Sequence, residues 1–462
     1  MPDIVSPIDG KCAFEYEHLS LENARARIDA AADAQRSWCA TPIAERIALC
    51  QAMLAAYAKR EADNAEQITR MMGKPLAHAL GEFRGPMRER TEHLCALAVE
   101  ALADEVPAAQ EGLTRFIRRE PVGVVFDIAA WNYPLIIAIN VIVPAVLAGN
   151  AVVIKHSHQT SLVADQLAAA FADAGAPAGL VAPLPVDHEV AATLMRERRF
   201  GYVSFTGSVR GGHEVYRAVA AESFVGCGLE LGGKDGALVL PDCALESTVD
   251  NLVDAAFFNA GQSCCGIERI YVHADIHAEF VEAYTALARK YVLGNPLEAA
   301  TNLGPMVRAD AVQHVRAQVQ EATSKGAALL VGDADFAVPD LSDCYLAPQV
   351  LTGVDHTMAL MTEETFGPAI GIMKVASVDE GVALMNDSHY GLTGSVWTTD
   401  DARARALLPR IEAGTVFQNR CDYLDPGLAW TGIKDSGHGA SLSRLGFLSV
   451  TRPKSFHLRT AT

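Results

Sequence analysis

The sequence predicts an α/β protein built from two parallel-sheet domains. Apolar segments of strand length alternate with segments of helix length from Val122 onward. Those strand candidates are apolar throughout, the mark of strands covered on both faces. The chain also has 462 residues, more than one domain at roughly 100–200 residues each.

In chain order, residues 21–105 read as helical, because apolar positions recur at three and four and Ala, Arg and Glu dominate. Residues 114–121 (TRFIRREP) read as an extended, Arg-rich excursion. Residues 122–129 are the first buried strand and 134–147 the helix after it. A strand at 151–155 precedes a helix at 161–174, stopped by Gly175 and Pro177. Strands at 180–186, 202–206 and 224–231 enclose helices at 188–197 and 209–221. A second set begins near Gly232, with a strand at 236–240, a helix at 245–259, a strand at 269–273 and a helix at 276–291. Further strand candidates lie at 327–331, 345–350 and 370–375. There is no low-complexity linker and no internal repeat. Ligands of such sheets bind at the carboxyl ends of the strands.

Composition narrows the function. Lys plus Arg is 38 and Asp plus Glu is 56, a net charge of −18, so nucleic acid is not an expected partner. Asp127, Asn132, Pro134, Asn140, Pro144 and Asn150 interrupt the most apolar region, so no membrane span is expected. Residues 1–10 have no basic and then apolar run, so no signal peptide is read there. The ten cysteines are scattered without a C-x-x-C pair, which argues for a reduced cytoplasm and against a structural metal.

Four strings carry candidate chemistry. Phe257-Phe258-Asn259-Ala260-Gly261-Gln262-Ser263-Cys264-Cys265 presents two vicinal thiols where an apolar helix gives out. A thiolate is a strong nucleophile at neutral pH when its pKa is lowered, although a lone buried Cys is more often an inert small hydrophobe. Leu229-Glu230-Leu231-Gly232-Gly233-Lys234 sets a carboxylate among apolar residues, which raises its pKa toward that of a general base. Its plainer reading is a strand-end Glu paired with Lys234. Trp131-Asn132-Tyr133-Pro134 offers an amide either for an oxyanion or as a helix cap. Phe205-Thr206-Gly207-Ser208-Val209-Arg210-Gly211-Gly212 is a strand, a Gly turn and a helix start, able to cradle a phosphate but weak alone.

Taken together, and with Glu363-Glu364-Thr365-Phe366-Gly367-Pro368 further on, these strings resemble the aldehyde dehydrogenase superfamily in motif and order. The resemblance spans nearly the whole chain. It implies a Rossmann-type cofactor domain at 1–103, 122–231 and 429–447 and an α/β catalytic domain at 232–428. It also implies a small oligomerisation flap at 104–121 and 448–462, hence a homodimer or homotetramer. By the same resemblance Cys264 is the nucleophile, Asn132 the oxyanion donor and Glu230 the base that activates water against a thioester. Trp131, Lys155, Ser157, His158, Gly207, Ser208, Gly212, Leu231, Glu364 and Phe366 fall on the NAD or NADP side. Tyr133, Phe258, Leu424 and Trp430 fall on the substrate tunnel. No metal is implied, and Cys265 reads as a packing residue.

The chain departs from the pattern at informative positions. His158 stands where relatives carry a Glu that binds the adenine ribose and repels a 2′-phosphate. NADP is therefore expected to be tolerated or preferred, with Lys155, Ser157 and Arg210 nearby. Asn140 and Phe258 occupy the two positions where relatives that take carboxylated semialdehydes carry Arg. A buried carboxylate without a partner is costly, so the expectation is an uncharged aliphatic or aromatic aldehyde. A carboxylated semialdehyde is the alternative, with Arg420 as its one candidate cation. Transfer of the acyl group to CoA is a second alternative, against which Glu230 speaks. A non-catalytic binding protein would have lost the nucleophile or the base, and a cysteine hydrolase would need a His paired with Cys264.

Overall fold

The computed structural model describes residues 3–459, so the outermost residues of the first and last predicted segments lie outside it. The apolar runs form two mostly parallel sheets. In the first, the strand order is Gly437–His438, Gly226–Glu230, Tyr202–Thr206, Val124–Ala129, Ala151–His156 and Val181–Pro183. All neighbours are parallel except the short edge strand, which runs antiparallel to Gly226–Glu230. The chain starts this sheet in the middle, at Val124–Ala129, steps out to one side, and returns to the other side through Tyr202–Thr206. The strand order therefore reverses beside Ala129, which opens a crevice at the carboxyl ends of these two strands. Trp131, Asn132 and Gly207 follow directly from them.

The second sheet has seven strands in the order Ala328–Val331, Gln349–Thr352, Ala369–Val375, Ile267–His273, Asp235–Val239, Thr393–Trp397 and Thr415–Gln418. Only its first pair is antiparallel. Its amino ends face the same crevice, because Glu230 leaves the first sheet five residues before Asp235 enters the second.

The helix Leu21–Trp38 packs on the first sheet, and Ile43–Ala58 and Arg88–Ala101 pack on the helices that cover it, chiefly Pro134–Ala148 and Leu162–Asp173. Trp38, Met53, Tyr57 and Leu94 share one core with Val125, Phe126 and Ile154. Each such side chain contributes roughly 1.5–3 kcal/mol on burial. The helix Pro134–Ala148 is buried almost all round and starts with Pro at its first position. Its first N–H groups, on Leu135 and Ile136, donate to Glu82 Oε1 at 2.8 and 3.2 Å. Glu82 in turn holds Lys74 Nζ at 2.6 Å in a fully buried pair. Leu113–Pro121 pairs in antiparallel register with Thr451–Arg459 to make a separate two-stranded ribbon.

Four predicted elements are corrected. The helix drawn to residue 259 ends at Phe257, because Asn259 and Ala260 take left-handed φ of 54° and 55°. The strand drawn at 180–186 shortens to Val181–Pro183, since Pro183 and Pro185 lack the N–H a ladder needs. The strand drawn at 345–350 pairs only from Gln349 to Thr352. The helix drawn at 276–291 spans His277–Ala288. Among elements not foreseen are the hairpin Asp3–Val5 with Cys12–Glu15, the helix Ala309–Ser324 and the strands Thr393–Trp397 and Thr415–Gln418.

Candidate active site

The loop that leads to Cys264 is built on strained backbone. Asn259, Ala260 and Gly261 are consecutively left-handed, with φ of 54°, 55° and 68°. For a residue with a Cβ this costs about 1–2 kcal/mol, and side chains lock it in place. Asn259 Nδ2 donates to the carbonyls of Asn132 (3.1 Å) and Gln262 (3.2 Å). The Gln262 amide donates to Asn259 O at 3.0 Å and accepts Val307 N–H at 2.8 Å. Gly261 sits so close to Gly367 that a Cβ would lie 2.3 Å from its carbonyl. The loop thus delivers Cys264 half-exposed, just ahead of the strand Ile267–His273.

The second thiol behaves differently. Cys265 is buried, and its Sγ donates to Asp422 Oδ1 at 2.9 Å, an oxygen that also accepts Ser263 Oγ at 3.0 Å. A hydrogen bond with Cys264 and burial push the Cys265 thiol well above its ordinary range. It stays protonated, which leaves Cys264 as the accessible sulfur. Cys265 is therefore a hydrogen-bond donor as well as a packing residue.

Glu230 ends the strand Gly226–Glu230. Burial pushes its carboxyl up to about 7, against the opposing pull of the Ser441 hydroxyl, Arg90 and the Trp430 side chain. Ser441 Oγ donates to Glu230 Oε1. A cavity of about 20 Å³ beside them is lined by Glu230, Ser441, Asn140 and Tyr202, room for one water. Trp430 lies between the Glu230 and Cys264 strings. It forms a cluster with Cys265, Leu392 and Leu442, against which Cys264 and Leu424 pack, and its side chain helps to lower the Glu230 pKa against burial. The two strings also touch through Gly233, where a Cβ would lie 2.5 Å from the carbonyl of Cys264. Asn132 is buried (3% exposed) at the strand-order reversal.

On the other side of the crevice, Ser208 caps the helix Val209–Ala220, its hydroxyl accepting Gly211 N–H at 3.2 Å. Gly207 and Gly212 keep that turn bare, since a Cβ on either would meet Phe205 or Leu231 at 2.7 Å. Lys155 is buried at 6% exposure, and burial lowers its pKa. Ser157 N–H donates to Ala129 O at 2.8 Å. His158 Nε2 lies 3.3 Å from Asp3 O, while its Nδ1 is buried with no partner. Glu364 Oε1 accepts Gly233 N–H at 3.0 Å, and burial pushes Glu364 up to about 7. Phe366 meets Trp131 edge-on at 5.6 Å between ring centroids.

Of the four residues expected on the substrate tunnel, Leu424 and Trp430 join the Cys264 cluster. Tyr133 carries Lys74 Nζ over its ring at 4.2 Å. Phe258 stacks on His78 at 4.3 Å. Arg420 is exposed and its guanidinium lies 3.6 Å over the ring of Tyr423. Sequence reasoning passed over Ser441, Asp422, Arg90 and Glu268. Glu268 had a signal, four residues after Cys264. The other three sit in no motif and reach the site only through the fold. Among the described residues no group of His, Cys, Asp or Glu has the makings of a metal site, and no helix is long and apolar enough to cross a membrane.

The description of the aldehyde dehydrogenase family matches residues 2–456. The chain is 33% identical over 429 residues to "Succinate semialdehyde dehydrogenase [NAD(P)+] Sad" of Escherichia coli (strain K12), covering 92% of this chain and 90% of the relative. It is 34% identical over 459 residues to "Aldehyde dehydrogenase" of Paenarthrobacter nicotinovorans, covering 98% of each. The solved NAD-dependent aldehyde dehydrogenase from Sinorhizobium meliloti superposes with a TM-score of 0.94 at 31% identity, covering 100% of this chain and 91% of that one. The chain belongs to the aldehyde dehydrogenase family, and it is an oxidoreductase.

Proposed function

We propose that this protein oxidises an aldehyde to the carboxylic acid with NAD or NADP, using Cys264, Glu230 and Asn132. The observation that carries the reading is the approach of the Glu230 string to the half-exposed Cys264, with Gly233 against the Cys264 carbonyl and Glu230 held at a pKa of about 7. A dinucleotide suits the residues on the far side of the crevice. The bare turn at Gly207 leaves space beside the helix start that Ser208 caps, and the buried Lys155 and the unpartnered Nδ1 of His158 are polar groups facing it. His158 admits NADP as well as NAD, because no carboxylate stands there to repel a 2′-phosphate. Trp131, Leu231, Glu364 and Phe366 would flank the nicotinamide end. When bound, the nicotinamide accepts the hydride that leaves the substrate carbon.

The chain's own residues do the rest. The Cys264 thiolate forms a C–S bond to the aldehyde carbon, and the carbonyl oxygen becomes an oxyanion. Asn132 donates its amide to that oxygen. After oxidation the acyl group remains on sulfur as a thioester. Glu230 takes a proton from a water, whose oxygen attacks the acyl carbon. The C–S bond breaks, releasing the acid and regenerating the thiolate. A carboxylate with a pKa near 7 suits this step, since it is a competent base that is still ionised in good part at neutral pH.

We also read residues 1–103, 122–231 and 429–447 as the cofactor domain and 232–428 as the catalytic domain. The ribbon of Leu113–Pro121 and Thr451–Arg459 has open edges, which favours a homodimer or homotetramer joined there. The acidic, cysteine-scattered composition suits the cytoplasm. The test is formation of reduced nicotinamide by the purified protein over a panel of aldehydes with each cofactor. A thioester should be trapped on Cys264 in Glu230→Gln. No turnover of any aldehyde, with Cys264 never acylated, would overturn the reading.

A further inference from the structure

Asp422 reaches the loop that carries Cys264 from a distant part of the chain and holds it on both sides of that residue. Its Oδ1 accepts the Ser263 hydroxyl at 3.0 Å and the Cys265 thiol at 2.9 Å. Ser263 and Cys265 are buried, while Cys264 between them is half-exposed. The amides of Asn259 and Gln262 fix the chain as far as Gln262, and the strand Ile267–His273 fixes it from Ile267 onward. Between these anchors, Asp422 is the one side chain from outside the loop that bonds both neighbours of Cys264, among the described residues.

Setting Asp422 there is unfavourable in two ways. Asn419 and Asp422 both take left-handed φ, 51° and 48°, a conformation that a Cβ disfavours. Burial also pushes the Asp422 carboxyl up, against the pull of the Cys265 and Ser263 bonds, and no cation adds to that pull among the described residues. The surroundings impose the arrangement all the same. Asn419 exchanges two side-chain hydrogen bonds with the backbone of Thr398, each 2.9 Å, just past the strand Thr415–Gln418. The Tyr423 hydroxyl donates to Glu89 Oε1 at 2.8 Å, and Arg420 covers the Tyr423 ring. Asp422 is thus a post anchored to the second sheet on one side and to the helix Arg88–Ala101 on the other. Strain of this kind persists where the surrounding structure over-determines it. The bonds to Ser263 and Cys265 are the only ones the Asp422 side chain makes among the described residues.

We propose that Asp422 is a positioning residue for Cys264: by hooking Ser263 and Cys265 to one carboxylate oxygen, it holds the sulfur between them where it meets the substrate carbon. The proposal rests on Cys264 as the nucleophile. A displacement of about 1 Å is enough to slow such an attack about 100-fold. The hook supplies position and not charge, so a neutral carbonyl in the same place serves.

The experiment follows acylation of Cys264 by 4-nitrophenyl acetate, which needs neither a dinucleotide nor the natural aldehyde. The thiolate forms a C–S bond to the acetyl carbon, the ester C–O bond breaks, and 4-nitrophenolate leaves. The proteins are wild type, Asp422→Ala, Asp422→Asn, Ser263→Ala/Cys265→Ala and the triple variant with Asp422→Ala. Asp422→Ala should lower the maximal acylation rate by about 10- to 100-fold, with the half-saturating ester concentration within about threefold of wild type. Asp422→Asn, whose amide oxygen can accept the same two bonds, should keep most of the rate. Ser263→Ala/Cys265→Ala should reproduce the loss, and adding Asp422→Ala should cost nothing further. Hydrogen exchange of the peptide carrying residues 263–266 should quicken by about tenfold or more in Asp422→Ala, with Ile267–His273 unchanged.

An unchanged acylation rate in Asp422→Ala would overturn the proposal. So would a change in half-saturation alone, which would make Asp422 a mere wall of the site, an equal loss in Asp422→Asn, or additive losses in the triple variant. If Asp422→Ala does not fold, Ser263→Ala/Cys265→Ala decides by the same rate and exchange readings. Acylation and exchange as expected, with no aldehyde oxidised, would sink the dehydrogenase reading and leave the clamp standing. A wild-type Cys264 that is never acylated would overturn both.

Discussion

The carboxylate of Glu268 takes the ammonium of Lys234 at 2.7 Å in the protein interior, and the same carboxylate accepts the N–H groups of Thr365 and Phe366 at 2.8 Å each. Lys234 also reaches Thr365 Oγ1 at 2.9 Å. The string that carries Glu230 and the string that carries Glu364 and Phe366 are thus pinned by one side chain that grows from four residues beyond Cys264. Glu268→Gln should leave the buried Lys234 ammonium without a counter-charge, a loss of about 3–5 kcal/mol. The expected signature is a lower Tm together with a higher KM for the dinucleotide. Thermal melts and cofactor titrations check it, and an unchanged KM would confine Glu268 to stability.

Replacing Cys264 by Ala should reduce turnover by more than about 10³-fold. Cys265→Ser should retain most of it, since a hydroxyl can still donate to Asp422. Equal loss in both variants would mean that the protonated, buried thiol takes part in the chemistry.

Glu230→Gln should cut steady-state turnover by about 10²–10⁴-fold while leaving a first-turnover burst of reduced cofactor. In wild type, kcat should rise with pH through an apparent pKa near 7, the value set by burial of Glu230. The sign for stability runs the other way. The folded-state pKa of about 7 lies above the ordinary 4.5, so the neutral carboxyl is favoured by folding. Its stabilising contribution is full below 4.5 and is lost as pH rises through about 7. Glu230→Gln should flatten that part of a Tm-against-pH curve. Retention of the slope would assign it to other raised carboxyls such as Glu364 and Asp235, which burial holds at about 7 and about 8.

Gly233→Ala should disable the enzyme with little change in cofactor affinity. The added Cβ would stand 2.5 Å from the Cys264 carbonyl, so the nucleophile loop must shift. Labelling of Cys264 by a thiol reagent, compared with wild type, reads the displacement. An active Gly233→Ala would show that the loop yields freely.

His158→Glu should turn the enzyme toward NAD. The new carboxylate would repel a 2′-phosphate, and the ratio of kcat/KM for NADP over NAD should fall at least about tenfold, a difference of about 1.4 kcal/mol. No change in the ratio would place the cofactor choice elsewhere.

Much of the frame was legible because parallel strands buried on both faces leave unbroken apolar runs. The strand Tyr202–Thr206 has the bounds its residues suggest, and Glu230, Asn132 and Cys264 stand at element ends where motifs are easiest to see. The strands Thr393–Trp397 and Thr415–Gln418 were harder, since Gly, Ser and Thr dilute their apolar signal. The left-handed turn at Asn259 and Ala260 was illegible because nothing in an Ala side chain announces positive φ; tertiary hydrogen bonds impose it. Arg90 was illegible for another reason. It lies on an ordinary amphipathic helix, and only the packing of Arg88–Ala101 against Pro134–Ala148 turns it toward Asn140.

The bond from Ser441 to Glu230 spans 211 residues, and Trp430 and the edge strand Gly437–His438 arrive equally late. On a ribosome adding 5–20 residues per second, that separation is roughly 10–40 s of translation. For that interval the emerging chain holds a glutamate and later a thiol that are not yet neighbours. A half-made polypeptide therefore lacks the Ser441 contact on Glu230, and the proposed catalytic pair is assembled only as the last few dozen residues leave the exit tunnel. Premature termination anywhere before Trp430 would yield a protein with most of its sheets and none of its turnover.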